Sequence, residues 1–368
     1  MIIRAKTRVV KIGNVLIGGD NPVIIQSMAK TDTANISATI REIQGLEASG
    51  CEIVRVAVKN IESALAIREI KKSIEIPIVA DIHFDYRLAL TAINSGADKI
   101  RINPGNIFKE KELFAVISAA RDKDIPIRVG VNSGSLPEYA DTENPEGIKM
   151  ARAALQYLEY FEKNKFSNLV VSLKASNVLT TISAYKEMSR LSEYPLHLGI
   201  TAAGTIKDAM VRSSIGIGSL LLSGIGDTIR VSITGDAREE IDIARKILAS
   251  LELRTFGPNL ISCPTCGRCQ VDLIKITEEL EKALSGICFN FGKIKKNKNE
   301  CLTEGKQNFT VAVMGCEVNG PGEAKSADIG IAFGKNQGAI FQNGKIFKIV
   351  SSATAVHELL EIIKKEYC

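Results

Sequence analysis

The sequence of 368 residues contains no tryptophan, and aromatic residues make up 5% of it. Proteins that bind nucleic acid usually carry a concentrated basic stripe with interleaved aromatic residues, so this composition argues against that class of partner. Long apolar runs are also missing. The longest run, IGIGSLLLSGIG, is too short and too rich in glycine to span a bilayer. We therefore expect neither nucleic acid nor a membrane among the partners.

The beginning of the chain, MIIRAKTRVVKIGN, is charged and lacks the apolar segment of a secretory signal. We therefore expect a soluble protein of the cytoplasm. Thiols stay reduced in that compartment, so the eight cysteines favour metal binding or catalysis over disulfide bonds. The formal net charge of +5 is small and is compatible with a small anionic substrate.

From residue 23 onward, short β-branched runs alternate with amphipathic helical stretches. The runs lie at residues 23–29, 52–58, 76–82, 99–104, 125–131, 169–175, 195–201 and 228–234. This alternation indicates βαβ units with parallel pairing, and eight units over roughly 250 residues fit a closed (β/α)8 TIM barrel. The alternative is an open doubly wound sheet. Such a sheet usually has a glycine-rich fingerprint after its first strand, and QSMAKTDT is not one.

The pattern changes after RTFGPNLIS, which ends at residue 262. We therefore predict a TIM-barrel domain at residues 1–256 and a smaller α+β domain at residues 257–368. The second segment contains the predicted strands FTVAVMG and IGIAFG, a hairpin with an Asn-Gly turn in AIFQNGKIFKIV, and a final helix. The opening TRVVKIGNVLIGGDNP predicts another hairpin, which would close the barrel from below.

Cationic side chains interrupt the barrel strands, although parallel strands covered on both faces should be almost entirely apolar. They are Arg55, Arg101, Arg128, Lys174 and Arg230. These side chains would repel one another unless an anion lies among them, and barrel enzymes have their active sites at the C-terminal ends of the strands. Because guanidinium groups bind phosphate oxygens in pairs, the sequence predicts a small polyanionic substrate, a phosphate or diphosphate ester.

Neutral and titratable side chains share these strand ends. Asn103 and Asn132 are candidates for orienting neutral oxygens, and Asp81 and His83 are candidates for proton transfer or hydroxyl binding. His197 is a weaker candidate, since a buried histidine with satisfied hydrogen bonds is the better explanation of it.

Three cysteines lie within seven residues in SCPTCGRCQ: Cys263, Cys266 and Cys269. Thiolates three residues apart can converge on one metal centre when the chain turns between them, and Pro264 and Gly267 favour such a turn. This spacing allows structural zinc or an iron–sulfur cluster. A zinc site usually has a second close pair of Cys or His ligands, and the downstream cysteines are isolated, which favours the cluster.

The distant motif VAVMGCEVNGPGEA ends a predicted strand at Cys316 and continues into an Asn-Gly-Pro-Gly turn. The turn would return Glu323 close to Cys316, so that a thiolate and a carboxylate could point at the same metal. The alternative interpretation is a surface loop with an ordinary glutamate.

Together these motifs resemble one family. SCPTCGR followed by GCEVNGPGEA, after a barrel that carries ADIHFDYRLA, KIRINPGN, RVGVNSGS and VSLKAS, closely resembles the 4-hydroxy-3-methylbut-2-enyl diphosphate synthases of the non-mevalonate isoprenoid pathway. The resemblance spans essentially the whole chain, and the length matches the bacterial two-domain form.

The resemblance implies a [4Fe–4S] cluster held by Cys263, Cys266 and Cys316, with Glu323 as an unusual fourth ligand within the catalytic site. It also implies the two-electron reductive ring opening and dehydroxylation of 2-C-methyl-D-erythritol 2,4-cyclodiphosphate. A hard, weakly held carboxylate on iron can give way to a substrate oxygen, which a fourth thiolate would resist.

The same resemblance implies the partners of the chain. Reduced flavodoxin or ferredoxin would supply electrons one at a time, and in a homodimer the cluster domain of one chain would close the barrel of the other. The cyclic diphosphate would be held by six strand residues: Arg55, Arg101, Asn103, Arg128, Asn132 and Lys174.

Two positions depart from the family pattern. Cys269 adds a third thiol beside the pair, and we expect it not to be a ligand. In GITAAGT, Ala202 occupies a position where the family commonly has a glutamate near the substrate, and alanine cannot transfer protons. Either Asp81 or His83 takes that role, or the glutamate is dispensable, or this chain is a variant with impaired activity.

Two other functions fit part of the sequence. A pterin- or corrinoid-linked methyl-transfer barrel with an accessory cluster would share the polar strand ends. A zinc-ribbon binding protein would use the barrel only as a scaffold, and its metal content would distinguish it from an iron–sulfur enzyme.

Overall fold

The structure is a computed structural model that describes residues 2–103, 106–107, 109–136, 144–285, 309–317, 322 and 327–367. The chain divides into two units, Met1–Leu253 and Arg254–Cys368. Within the described ranges, no helix is long and apolar enough to cross a membrane.

In the first unit a short hairpin, β1 (Val10–Ile12) and β2 (Val15–Ile17), precedes eight parallel strands that are rich in β-branched residues. These strands are β3 (Ile24–Met28), β4 (Ile53–Val58), β5 (Ile78–Ile82), β6 (Lys99–Ile102), β7 (Ile127–Asn132), β8 (Leu169–Lys174), β9 (His197–Leu198) and β10 (Thr228–Ile229). They pair in the order β8-β7-β6-β5-β4-β3-β10-β9, and a parallel bridge between Val171 and Leu196 joins the two ends. The predicted TIM barrel is confirmed: seven predicted runs contain one of its strands each, and the run 125–131 covers all of β7 except Asn132.

A helix follows each barrel strand. The helices are α1 (Ile36–Ala48), α2 (Ile61–Ile70), α3 (Tyr86–Asn94), α4 (Glu110–Asp122), α5 (Glu146–Lys163), α6 (Val178–Leu191), α7 (Ile206–Leu222) and α8 (Ala237–Ser250). Five of them begin at a side chain that accepts a hydrogen bond from a backbone N–H of the first turn: Asn35, Asn60, Asp85, Asn177 and Asp236. Such caps satisfy N–H groups that have no partner within the helix, and here they fix the loops that leave the C-terminal ends of the strands.

The hairpin closes the N-terminal end of the barrel with apolar side chains. Its buried residues pack in one cluster with the first or second residues of four strands: Val10, Ile12, Ile17, Ile24, Ile53, Val79 and Val170. We call this cluster the apolar floor. The hairpin predicted beneath the barrel is therefore confirmed, and the barrel interior can open only at the opposite end, which we call the mouth.

The second unit contains a five-stranded mixed sheet and two described helices. In chain order its elements are β11 (Asn259–Ser262), α9 (Leu273–Ser285), β12 (Thr310–Met314), β13 (Ile329–Gly334), β14 (Gln337–Gln342), β15 (Lys345–Ser351) and α10 (Ala355–Tyr367). Strands β11, β12 and β13 are parallel, and β13, β14 and β15 are antiparallel. Leucines of both helices pack with the sheet in one core, which confirms a smaller domain that combines helices with a mixed sheet.

The predicted Asn-Gly turn joins β14 to β15. Asn343 and Gly344 have φ angles of 48° and 77°, the left-handed values that a two-residue hairpin turn requires. The turn before it, between β13 and β14, was not predicted because it has no glycine. There Asn336 supplies the left-handed residue, with φ of 64°.

Truncation of one hairpin side chain tests the floor. Ile17 is fully buried, whereas its neighbour Leu16 is 45% exposed. We expect Ile17→Ala to lower the free energy of unfolding by about 2–5 kcal/mol, because it leaves a cavity under the barrel. Leu16→Ala should lower it by about 0.5 kcal/mol or less. Urea unfolding of both variants gives the comparison, and equal losses would contradict the packing role of the hairpin.

Candidate active site

Above the apolar floor the barrel interior is polar. Residues two apart on a strand point to the same face. In four strands the floor residue is therefore followed, two positions later, by a polar residue on the inner face: Gln26, Arg55, Asp81 and Ser172. Buried polar groups need hydrogen-bond or charge partners, and the partners differ from group to group in this interior.

Six cationic side chains lie in this interior with little or no exposure to solvent: Arg55, Lys99, Arg101, Arg128, Lys174 and Arg230. Of the buried carboxylates described in this unit, Asp81 and Glu240 contact these cations. The third, Asp227, is instead bonded to Arg4 and Thr7. The interior thus carries an excess of cationic groups, which favours the binding of an anion.

Asp81 lies between two arginines. Its Oδ2 is 3.6 Å from Arg55 Nε, and its Oδ1 accepts a hydrogen bond of 3.2 Å from Arg101 Nη1. Burial alone would raise the pKa of the Asp81 carboxyl, but the guanidinium groups around it, first Arg55 and then Arg101, lower that pKa to about 2. The group is therefore ionised at neutral pH, which favours Asp81 as an acceptor that orients cations over Asp81 as a proton donor.

Gly130 makes room for the Arg101 guanidinium. Arg101 Nη2 donates to the Gly130 carbonyl at 3.2 Å, and a Cβ added at residue 130 would lie 2.5 Å from Arg101 Nε. Strand β7 therefore needs glycine at this position because a charged side chain from β6 passes over its backbone.

Besides its contact with Asp81, Arg55 has a second partner, and Arg230 is paired with a different carboxylate. Arg55 Nε and Nη2 donate to Met28 Sδ at 3.1 and 2.8 Å. Arg230 Nε and Nη2 donate to the Glu240 carboxylate at 3.2 and 3.1 Å, and that carboxylate also accepts from Ser27 Oγ at 2.9 Å. Helix α8 thus supplies the carboxylate that fixes Arg230.

Lys174 lies against His197. Lys174 Nζ is 3.2 Å from His197 Nε2, and His197 Nδ1 is 2.8 Å from Thr228 Oγ1. Burial, and then the charge of Lys174, lowers the pKa of His197 well below its usual value, so the imidazole is neutral. The histidine is buried and hydrogen-bonded as predicted, and it also supports a candidate substrate residue.

Arg128 and Lys99 are fully buried, and their donors are incompletely satisfied. Arg128 Nε, Arg128 Nη1 and Lys99 Nζ have no hydrogen-bond partner among the residues that the structure describes, and neither does the side-chain amide of Gln26. Burial lowers the pKa of Lys99 and of Arg128 well below the ordinary values. Leaving buried donors without an acceptor costs free energy, so an anion bound in this region would stabilise the protein by satisfying them.

Arg128 lies deeper than its predicted place at the strand ends. It is the second residue of β7, and it pairs with Val170 of the apolar floor. Asn132 ends the same strand and pairs with Lys174, and Asn103 is buried directly after β6. The six predicted substrate residues thus surround one interior at different depths.

Two predicted positions flank the mouth. His83 follows β5 and is exposed, so it is a titratable side chain accessible from solvent. Ala202 follows β9, is exposed, and has a left-handed φ of 50°. The preceding residue, Thr201, donates its N–H to the carbonyl of Ala175 at 3.2 Å, which ties this loop to the end of β8.

In the second unit, parallel pairing brings two cysteine motifs to one sheet edge. Ser262 of β11 pairs with Val313 of β12, so Cys263 and Cys316 follow the C-terminal ends of adjacent strands. Gly315 donates its N–H to Cys263 Sγ at 3.3 Å. Glu323, the predicted fourth ligand, lies outside the described residues.

Cys269 is turned inward, towards Gly315. Its Sγ donates to the Val271 carbonyl at 3.2 Å, and a Cβ added at residue 315 would lie 2.4 Å from that sulfur. Cys269 also packs against the hydrophobic core of the unit, whereas Cys266 is exposed. Cys263 packs against the same core, so these contacts give Cys269 a packing role and leave the expectation that it is not a ligand as a prediction.

The donor set at this edge fits an iron–sulfur cluster in kind. Thiols are the ligands that such clusters require, and a backbone N–H directed at a ligand sulfur is an interaction that tunes them. The described side chains alone do not form a complete metal site, since no three Cys, His, Asp or Glu groups within those ranges are close enough to hold a metal ion.

Three residues of the barrel interior were not singled out from the sequence. Lys99 stands two positions before Arg101, so the same period of two that marked Arg101 and Asn103 could have identified it. Gln26 interrupts the apolar run VIIQSMA and gave a weaker signal of the same kind. Glu240 gave none, because a glutamate on an amphipathic helix usually faces solvent.

Comparison with protein families identifies both parts of the chain. Residues 7–245 match the model of the GcpE TIM-barrel domain, and residues 259–365 match the model of the GcpE protein C-terminal domain. The chain is similar to curated proteins named 4-hydroxy-3-methylbut-2-en-1-yl diphosphate synthase (flavodoxin). The relative from Caldanaerobacter subterraneus is 50% identical and covers 98% of each chain, and the one from Thermodesulfovibrio yellowstonii is 49% identical and covers 99% of this chain and 100% of its own.

Among solved structures, the barrel is similar to dihydropteroate synthases. The enzyme from Stenotrophomonas maltophilia superposes with a TM-score of 0.51 at 14% identity, over 67% of this chain and 98% of that one. The Yersinia pestis enzyme with a pterine-sulfa conjugate gives 0.50 at 11% identity, over 66% and 99%. At such identities the likeness establishes a shared barrel fold and nothing about activity.

The pKa of Asp81 predicts a loss of stability in acid. Because its folded-state pKa of about 2 lies below the 3.8 of an unperturbed aspartate, the stabilisation is fully present well above pH 3.8 and is lost as the pH falls through about 2. The shift corresponds to about 2 kcal/mol. We expect Asp81→Asn to remove this part of the pH dependence and to destabilise the protein by about 3–5 kcal/mol at neutral pH, since both arginines lose their carboxylate. Urea unfolding between pH 7 and pH 2 measures both effects. An unchanged slope in the variant would refute them, and Asp122→Asn, an exposed carboxyl, is the control.

The close approach at Gly130 predicts a second effect on stability. We expect Gly130→Ala to lower the free energy of unfolding by about 1–3 kcal/mol, because the added methyl group displaces the Arg101 guanidinium from Asp81. Gly134→Ala is the matched control, since a Cβ there meets no atom within 4 Å. Thermal unfolding of both variants provides the measurement, and a Gly130 variant as stable as the control would contradict the packing.

Proposed function

The chain belongs to the family of 4-hydroxy-3-methylbut-2-en-1-yl diphosphate synthases, and we propose that it converts 2-C-methyl-D-erythritol 2,4-cyclodiphosphate to 4-hydroxy-3-methylbut-2-enyl diphosphate. The reaction opens the ring at a carbon–oxygen bond, removes a hydroxyl group as water, and consumes two electrons and two protons. The observation that carries the proposal is the excess of buried cations in the barrel interior, which suits a diphosphate.

We propose the barrel domain, residues 1–256, as the part that binds the substrate. Within the described residues, neither Arg128 nor Lys174 forms an ion pair with a carboxylate, so they would attract the diphosphate most strongly. Arg55 and Arg101 are held in place by Asp81 and would meet the anion already oriented. Around these cations, Asn103 and Asn132 would bind the neutral oxygens.

Proton transfer is assigned to the groups that this chain retains near the mouth. His83 is exposed there and can exchange protons with solvent, so we propose it as the proton-transfer residue. Asp81 would remain ionised and keep Arg55 and Arg101 in position. Glu323 completes the proposed catalytic set, and Ala202 contributes no acid or base.

The second domain, residues 257–368, is proposed to hold the redox cofactor. A [4Fe–4S] cluster bound there would supply electrons one at a time. Cys263, Cys266 and Cys316 are the thiol ligands that this chain offers, with Glu323 as the fourth ligand. The N–H of Gly315 would hold Cys263 Sγ at the edge of the sheet.

The proposed partners follow from the family. The names of the relatives specify flavodoxin, so we propose reduced flavodoxin as the electron donor, with ferredoxin as the alternative. We also propose a homodimer in which the cluster domain of one chain closes the barrel of the other. The proposed setting is the cytoplasm, without nucleic acid or membrane as a partner.

Anaerobic assays test the function directly. Purified protein should contain about four irons and four sulfides per chain, and it should convert the cyclodiphosphate when reduced flavodoxin is supplied and no methyl donor is present. Turnover that requires a methyl donor would instead indicate a methyl-transfer barrel. A colourless protein loaded with zinc would exclude the redox function.

Cysteine variants test the ligand assignment. We expect Cys316→Ser to abolish cluster content and turnover, because it removes a proposed ligand at the edge of β12. Cys269→Ser should retain both, since that thiol packs inward against Gly315. Iron and sulfide analysis with the visible absorption spectrum measures cluster content, and loss of the cluster in the Cys269 variant would overturn the assignment.

A further inference from the structure

Lys99 is a buried cation that the proposed mechanism does not use. It is the first residue of β6, it is fully buried, and its Nζ has no hydrogen-bond partner among the described residues. Replacing a buried, unpaired charge by an apolar group of similar volume usually stabilises a protein. A lysine at this position therefore indicates that its ammonium group binds an anionic ligand.

The backbone places Lys99 low in the barrel. It pairs with Val79 of the apolar floor, and it precedes Arg101 by two residues, which is about 7 Å along a strand. The hairpin beneath it presents apolar side chains, so no polar group of the floor can solvate the ammonium. Its donors must therefore be satisfied from above, within the barrel interior.

Other polar groups low in the barrel also lack hydrogen-bond partners among the described residues. Among the charged groups, Arg128 on the neighbouring strand lowers the pKa of Lys99 most, and its own Nε and Nη1 are also buried without a partner among the described residues. The Gln26 amide on β3 is unsatisfied in the same interior. Nearer the mouth, three of the cations are already paired, Arg55 and Arg101 with Asp81 and Arg230 with Glu240, and Lys174 contacts the neutral His197. Lys99, the first residue of β6, and Arg128, the second residue of β7, are thus the interior cations whose donors have no partner among the described residues.

We propose that Lys99, Arg128 and the Gln26 amide form a deep anion subsite that receives one phosphate group of the bound substrate. This inference rests on the proposed function, to which it adds Lys99 and Gln26 as binding residues and a direction of entry, with one phosphate lowest in the barrel. A free phosphate ion offers the same chemistry, so the experiment must separate the two sources.

Lys99→Met tests the subsite because it removes the charge and keeps most of the side-chain volume. Without any anion, the variant should melt at the same temperature as the wild type or higher, because a buried amine without a hydrogen-bond partner has been replaced by an apolar group. Its affinity for inorganic pyrophosphate and for the cyclodiphosphate should fall at least about tenfold, as expected for loss of a charge-assisted hydrogen bond. Titration calorimetry and thermal shift on the full chain measure these effects, and Lys72→Met, an exposed lysine, is the control.

The outcomes separate the subsite from the function. A Lys99 variant with wild-type affinity for both anions overturns the subsite, even if the wild type turns the cyclodiphosphate over. Pyrophosphate binding that depends on Lys99, in a protein that neither binds nor converts the cyclodiphosphate, supports the subsite and refutes the proposed function. Weakened binding of pyrophosphate with unchanged affinity for the cyclodiphosphate overturns the assignment to the substrate.

A lower melting temperature without anion, together with an unchanged shift on anion addition, would mark Lys99 as a purely structural residue and overturn the proposal. Should Lys99→Met not fold, Gln26→Met provides the second test. It removes an unsatisfied amide without changing charge, and it should weaken both anions by a smaller factor. Unchanged affinity in that variant would remove Gln26 from the subsite.

Discussion

The burial of cations that outnumber their carboxylates is the constraint on which the barrel depends. Asp81 and Glu240 satisfy three of the arginines, but Lys99 and Arg128 keep unsatisfied donors inside the protein. A fold that tolerates this must recover its stability elsewhere, and the surrounding strands and helices do so with an almost continuous apolar shell. The cations are thus already positioned for an anion, and the anion-free protein is less stable because of their unsatisfied donors, as is common at functional sites.

The apolar floor gives this arrangement its direction. Because the hairpin covers the N-terminal ends of the strands, polar groups above it can be reached only through the mouth. Because the hairpin below them is apolar, Lys99 of β6 and Arg128 of β7 can find polar partners only on the side of the mouth. The packing of one hairpin near the start of the chain therefore closes one end of the barrel and leaves the polar groups accessible from the other end.

Much of this could be read from the sequence, and the exceptions have physical causes. The alternation of strands and helices predicted the barrel, and the period of two along strands identified Arg101, Asn103 and Asp81. The depth of Arg128 depends on the register between β7 and β8, which a single strand does not reveal. Glu240 reaches the interior from a helix, and Gly130 is required by a side chain from another strand. Contacts of that kind join residues distant in sequence, so no local pattern records them.

The left-handed backbone at Ala202 has a consequence for how the mouth can evolve. A φ of 50° is unfavourable for alanine and glutamate alike, because neither side chain hydrogen-bonds locally as asparagine or aspartate can, so an exchange between these two leaves the backbone cost of this loop, which is tethered to the end of β8, nearly unchanged. Position 202 can therefore exchange one side chain for another without reshaping the loop. Gain or loss of an acidic group beside the mouth would alter the chemistry of the entrance while leaving its architecture intact.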